Sequence, residues 1–234
     1  MTKHPQTTWK PLSNETPLTF LLSLTFLFLF SGSVYGQEVV KKKYWDNGKI
    51  KSEIHYKNGK EEGLATVWYE SGGKESEVHY KNWGEEEGLG IEWYESGEKE
   101  SETHYKDGKK EGLETHWYKN GTKESETHNK NGKPERLVTR WYESGKKEYE
   151  THLKNDVQDG LSTKWYESGE KETEQNYKNG KQDGLTTTWY ESGEKWGEAY
   201  YENGIQQGLA TLWYESGKKW FETHYKNRKK EGAS

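Results

Sequence analysis

The sequence predicts an all-β fold: an elongated, single-layer, twisted antiparallel β-meander of about eight 24-residue hairpin repeats, placed after an N-terminal signal segment. Three observations predict it. An aromatic pair begins at Tyr44, Trp68, Trp93, Trp117, Trp141, Trp165, Trp189 and Trp213, every step being 24 residues except the 25 from Trp68 to Trp93. A period of this size marks an array of one supersecondary unit. Two glycine-ended turns cut each unit, and the runs between them alternate with period two and are too short for stable helices.

Ahead of the array, Lys3 and Lys10 precede an apolar stretch from Leu18 to Phe30, interrupted only by Thr19, Ser23 and Thr25, and small residues lead to Gly36. A basic start, a short apolar run and a small-residue cleavage site predict an export signal over residues 1–36. A short linker, 37–43, and the repeat array, 44–234, follow. The expected location is periplasmic, cell-surface or secreted. Because the apolar stretch falls short of the ~20 residues that span a bilayer, an uncleaved membrane anchor is the alternative.

The absence of cysteine excludes disulfides and thiolate metal sites. Only 28% of residues are hydrophobic and 32% are charged, which in an ordinary chain would suggest disorder; here aromatics reach 15% and recur on a strict period. The formal charge is −5 with no basic stripe, so no nucleic-acid partner is expected.

The unit from Trp93 to His116 reads WYESGEKESETHYKDGKKEGLETH, and its positions are counted from the tryptophan as one. The first-turn glycine recurs in all eight copies, as Gly48, Gly72, Gly97, Gly121, Gly145, Gly169, Gly193 and Gly217. A three-residue hairpin loop ends in a left-handed residue, which glycine occupies without steric cost. If both turns are of this kind, odd positions pair with odd. Leu89, Ile91 and Trp93 then share an aromatic–aliphatic face with Ser101, Thr103 and Tyr105, and Tyr94, Glu100, Glu102, His104 and Lys106 share a charged one. The expected repeat core is Trp68, Trp93, Trp117, Trp141, Trp165, Trp189 and Trp213 with Leu64, Leu89, Leu113, Leu161, Leu185 and Leu209.

The array departs from itself in a few places. Trp83 is inserted in the second-turn loop of its unit; Pro134 and Arg136 stand in the unit begun by Trp117, where pairing is expected to be weakest; Asp156 replaces a turn glycine, as does Arg228. Position eight is charged in six copies (Lys51, Glu75, Glu100, Glu124, Glu148, Glu172) but is Trp196 and Trp220 in the last two. With Tyr190, Tyr200 and Tyr214 these tryptophans form a candidate partner-binding cluster on the charged face. The competing explanation is that terminal repeats differ because they cap the array.

The run Tyr44-Trp45-Asp46-Asn47-Gly48-Lys49-Ile50-Lys51-Ser52-Glu53, followed by Tyr56-Lys57-Asn58-Gly59-Lys60-Glu61-Glu62-Gly63-Leu64, resembles the MORN repeat variant, the type found in bacterial YwqK-type proteins. The resemblance covers Lys43 to Gly232. It implies an elongated sheet of hairpins used for interaction with proteins or membrane lipids, with no catalytic motif, and it also implies an antitoxin-like role as a third reading. Later copies carry lysine where Ile50 stands.

Glu-x-His recurs, as in Glu102/His104 and Glu150/His152, but neighbouring histidines would stand about 10 Å apart, too far to share a zinc ion. No metal site, cofactor or catalytic residue is therefore expected. No nucleophile elbow, phosphate loop or metal-hydrolase motif occurs. The expected function is an exported, non-catalytic repeat protein that presents a sheet surface to an unidentified protein partner. The alternative is a glycan or cell-envelope binder using exposed aromatics, and edge-to-edge self-association is open to either.

Overall fold

The structure, a computed structural model, describes residues 36–227 and the backbone of residues 229 and 230. The expected export segment lies outside the described residues, apart from Gly36. The strands are β1 (Glu38–Tyr44), β2 (Ile50–Lys57), β3 (Lys60–Trp68), β4 (Lys74–Lys81), β5 (Glu85–Trp93), β6 (Lys99–Lys106), β7 (Lys109–Trp117), β8 (Lys123–Lys130) and β9 (Lys133–Trp141). The second half continues with β10 (Lys147–Lys154), β11 (Val157–Trp165), β12 (Lys171–Lys178), β13 (Lys181–Trp189), β14 (Lys195–Glu202), β15 (Ile205–Trp213), β16 (Lys219–Lys226) and β17 (Lys229–Lys230). Each strand pairs antiparallel with the next in the chain, giving one open sheet. The stretch 37–43, expected as a linker, is instead most of β1, which pairs along its whole length with β2.

The first turn is the expected one. Tyr94 N–H donates to the Glu98 carbonyl at 2.9 Å and Gly97 N–H to the Tyr94 carbonyl at 2.8 Å, with Gly97 at φ +100°, and the same pair of bonds closes all eight copies. The second turn is not. Lys106 pairs with Lys109 around Asp107 (φ +50°) and Gly108 (φ +70°). Positive φ at both central residues is the two-residue hairpin turn that suits the twist of its strands. Among the described residues only Trp83 lengthens such a turn, to Asn82-Trp83-Gly84, and the register of the other units is regained by the Glu77–Ile91 pair.

The faces also differ from expectation, because each unit contains a bulge. Trp93 pairs with Lys99, but the next pair is Glu92 with Ser101, leaving Glu100 without a partner. One unpaired residue bends the strand and shifts every later side chain to the other face. The slip recurs at position eight of all eight units. Leu89 consequently lies opposite His104 and Ile91 opposite Glu102. One face carries Trp93, Leu89, Ile91, Lys99, Glu102 and His104, and is termed the tryptophan face. The other, the tyrosine face, carries Ser101, Thr103 and Tyr105 with Glu92, Glu114 and His116 across from them.

The expected core is corrected accordingly. A single layer has no second layer to pack on, and among the described residues no large side chain is fully buried. Burial falls on small residues of both faces, including Ser76, Ser101, Thr103, Thr115, Thr163, Ala65 and Ala210. The seven repeat tryptophans are half-buried, Leu64 and Leu113 likewise, whereas Leu89, Leu161, Leu185 and Leu209 are exposed. Lysines supply what a second layer would: Lys74 stands 5.5 Å over Trp93, Lys99 5.1 Å over Trp117, and four later pairs follow the same pattern. Each of these lysines also pairs with the glutamate three residues on, as Lys147 does with Glu150 at 2.6 Å. The apolar stem covers the indole while the ammonium keeps an anion.

A second irregularity falls at or beside position twelve, where typically three residues such as Glu111-Gly112-Leu113 oppose the single His104, while His79 and Tyr200 are themselves paired, with Glu87 and Gln207. Gly112 has φ +98°, and Gly160, at +118°, would bring an added Cβ within 3.2 Å of His152 Cβ. Arg136 occupies this place at φ +72°. The weak pairing expected around Pro134 is absent: Asn129 pairs with Pro134 and Lys130 with Lys133, in the register of the other units.

On the tyrosine face the buried Glu114 accepts from Lys110 at 2.5 Å, from Asn129 at 2.8 Å, and from His116 at 3.0 Å. Burial alone would raise its pKa, but the bonds from His116, Lys110 and Asn129 outweigh burial and bring it to about 2.

Two predictions follow from the backbone and from this network. Left-handed φ costs a residue that carries a Cβ roughly 1–2 kcal/mol that glycine escapes, so Arg136→Gly should stabilise the protein by about 1 kcal/mol in urea unfolding, with an unchanged m-value. Glu114→Gln should destabilise by about 2–3 kcal/mol at pH 7. Because the folded carboxyl is depressed, its contribution is complete above about pH 4.5 and fades as pH falls toward 2. The gap between parent and variant should therefore close over that window in a pH series of melts.

Candidate interaction surface

Position eight stands on the tyrosine face because it is the extra residue beside position nine. Contacts fix the assignment: Glu172 pairs with Lys164 at 2.7 Å and Glu124 with Arg140 at 3.4 Å, and both cations belong to that face. The position-two tyrosines lie in the same row. Tyr94 Oη donates to the Trp117 carbonyl at 2.7 Å, and Tyr69, Tyr118, Tyr142, Tyr166 and Tyr190 repeat the bond to the following tryptophan. These bonds tie each tyrosine hydroxyl to the next unit. Burial, with Glu100 and Glu124 adding to it, pushes the Tyr94 hydroxyl up to about 12.

In the last two units the row changes character. Trp196 and Trp220 are the unpaired residues of their bulges and are 42% and 54% exposed. The Tyr214 ring, itself 51% exposed, lies 5.8 Å from that of Trp220 at 38°. Tyr190 is half-buried and hydrogen-bonded to the Trp213 carbonyl. Tyr200 does not join them. It pairs with Leu185 on the tryptophan face, 46% exposed, because the bulge at Trp196 turns the strand over between positions eight and ten. Tyr201 takes its place on the tyrosine face.

Two residues of the patch escape sequence reasoning. Leu212 lies directly between Gly197 and Phe221 on the neighbouring strands. An added Cβ at Gly197 would stand 2.9 Å from Leu212 Cδ2, so glycine there makes room for the leucine. The available signal is that positions eight and nine become Trp196-Gly197 and Trp220-Phe221 in the last two units, with Leu212 at position twenty-four between them. Trp196, Leu212, Tyr214, Trp220 and Phe221 thus form one apolar end on an otherwise polar face.

The Glu-x-His elements are tied up locally. Glu102 pairs with Lys99, and Glu53 with Lys42 at 2.7 Å and His55 at 3.8 Å. His104 and His152 donate from Nδ1 to the Leu113 and Leu161 carbonyls at 3.2 and 3.1 Å. Among the described residues no three His, Asp or Glu side chains converge as metal ligands.

The repeated hairpin, with its paired aromatics, first-turn glycine and Gly-Leu strand, can now be compared with known repeats. Eight stretches, 37–58, 61–82, 86–107, 110–131, 137–155, 158–179, 182–203 and 206–227, match the MORN repeat variant. The chain belongs to that family. None of the curated proteins compared with it is similar. Each MORN stretch spans a strand, the three-residue turn, and the bulged strand, so residues 37–43 are part of the first repeat rather than a linker. The gap between the fourth and fifth matches contains Pro134 and Arg136, where the sequence is least typical although the backbone is unchanged.

Exposed indoles in the MORN array are few: among the described residues Trp83, Trp196 and Trp220 stand out, Trp83 being 59% exposed. Substituting these three with phenylalanine should remove most of the emission that acrylamide quenches readily, while the half-buried repeat tryptophans keep theirs, as a Stern–Volmer titration would show.

Proposed function

We propose that this MORN repeat protein is an exported, non-catalytic scaffold that engages a partner protein through the apolar end of its tyrosine face. The observation that carries the reading is the contiguous set Trp196, Leu212, Tyr214, Trp220 and Phe221, three of whose rings are more than two-fifths exposed. Buried aromatic anchors supply most of the energy of protein interfaces, and folded chains seldom leave such rings in water without a use for them. The rest of the array supports the patch. Hairpins coupled only to their neighbours make a long, rigid platform, and its ion pairs and turns serve geometry. The repeat chemistry supplies no converging nucleophile and base, which is why the reading is one of binding.

The test is cross-linking capture on the organism's own envelope fraction with the parent protein and with Trp196→Ala/Trp220→Ala. A protein cross-linked by the parent and lost from the double variant, whose melting temperature should stay within a few degrees, is the expected result. Equal capture by both proteins sinks the patch. Retention on isolated glycan or wall material, lost in the same variant, would instead favour sugar stacking on the rings. Fractionation of cells expressing the full chain checks export: recovery in the cytoplasm alone removes that part of the reading.

A further inference from the structure

The apolar end has a neighbour of opposite chemistry. Along the tyrosine face the bulged residues stand in one row, two strands or about 9.6 Å apart, reading Glu75, Glu100, Glu124, Glu148 and Glu172 before Trp196 and Trp220. The chain itself displays what this row accepts. Arg140 fills the place beside Glu124 and Lys164 the place beside Glu172. Lys119 stands 5.6 Å over the Tyr94 ring, and in the first unit Lys51 stands 4.0 Å over Trp45. From Glu75 to Glu172 each notch thus sets a carboxylate beside a position-two ring anchored by its hydroxyl bond, and cations of the chain itself occupy such places.

Glu75, Glu100 and Glu148 make no direct ion pair among the described residues, although Lys119 lies near Glu100 and Lys164, paired with Glu172, also acts on Glu148. Burial and the nearby Glu92 hold the Glu100 carboxyl above its usual range, against the opposing influence of His116 and Lys119. These three carboxylates and the aromatic end lie on one face and one line. Glu148 is two steps from Trp196, about 19 Å, and Glu75 five steps, about 48 Å; an extended chain covers these in about 6 and 15 residues.

Resting on the reading of the aromatic end as a partner site, we propose that the whole row binds one continuous segment of a partner protein. Its apolar side chains sit against Trp196, Leu212 and Trp220, and its lysine or arginine side chains reach Glu148, Glu100 and Glu75. The polarity of the row fixes the direction: apolar toward the C-terminal end of the array, basic toward the N-terminal end. The apolar contacts provide affinity; the carboxylates provide orientation and exclude acidic segments.

The probe is a fluorescein-labelled synthetic peptide of about 20 residues, with a Leu-Trp-Leu end followed by glycine–serine chain carrying lysine at every third residue. Its twin has serine for each lysine. Both are titrated by fluorescence anisotropy against the purified protein, Glu75→Gln/Glu100→Gln/Glu148→Gln, and Trp196→Ala/Trp220→Ala, each first checked by circular dichroism and melting. The lysine peptide should bind the parent about tenfold more tightly than its twin at low salt, as three exposed ion pairs together allow. That advantage should vanish at high salt and in the triple glutamine variant, while the tryptophan variant weakens both peptides. Equal binding of the twins, a ratio unchanged by the glutamine substitutions, or no binding of either peptide overturns the proposal. If in addition both twins bind the tryptophan variant as tightly as the parent, the patch reading fails with it; if only the lysine dependence is missing, the patch reading stands.

Discussion

Every property of the two faces depends on the unpaired residue between Lys99 and Ser101 and its seven equivalents, because strand side chains alternate and one unpaired residue exchanges the faces. Without it, Leu89, Ile91 and Trp93 would share a surface with Ser101, Thr103 and Tyr105, and the tryptophans, leucines and position-thirteen tyrosines would gather on one side of the sheet. With it, each face receives large and polar side chains together. A sheet of one layer, wet on both sides, is served better by that mixture than by a segregated pattern, since no second layer exists to hide an apolar face. The same residue has no partner in the ladder, and the eight copies place lysine, glutamate or tryptophan there, so the position that sets the register is also one that varies in charge and size.

Cohesion in such a layer has to come from within each face and from one repeat to the next. Lysine stems over indoles, tyrosine hydroxyls on the next tryptophan's carbonyl, and carboxylates on the next unit's turn, such as Glu87 on the Asp107 N–H at 3.2 Å, each join neighbouring units. Individually these are modest contacts. Their repetition at the period of the sequence makes them a framework, and it explains a hydrophobic content of 28% in an ordered chain.

Much of the architecture could be read from residues alone. The period gave the repeat, the glycine-ended triplets gave the first turns, and the alternation gave the strands, because all three are local properties. The second turn has two central residues rather than the three expected, and Asp107-Gly108 and the Asn-Gly pairs are the residue choices that a two-residue turn demands. The bulge left no comparable mark: Glu100 is as ordinary a strand residue as Glu102, and only the pairing of the two strands distinguishes them. Tyr200 was therefore set on the wrong face and the leucines in a core that does not exist. Trp196 and Trp220 were nevertheless found, since a break in a repeat is visible without knowing which way it points. Leu212 and Phe221 were not, because their neighbourhood arises only across β14, β15 and β16.

The order of the strands has a mechanical consequence. Because each strand is bonded only to those before and after it, the first and last strands lie at opposite ends of the array. Tension between them would pull on one edge pair at a time, opening hydrogen bonds in succession like a zip rather than shearing a whole ladder at once. Each unit so released frees 24 residues, roughly 80 Å of extended chain, and leaves the remaining units in register. The protein is thus built to lengthen in equal increments under a small load and to shorten again from whichever units stay paired.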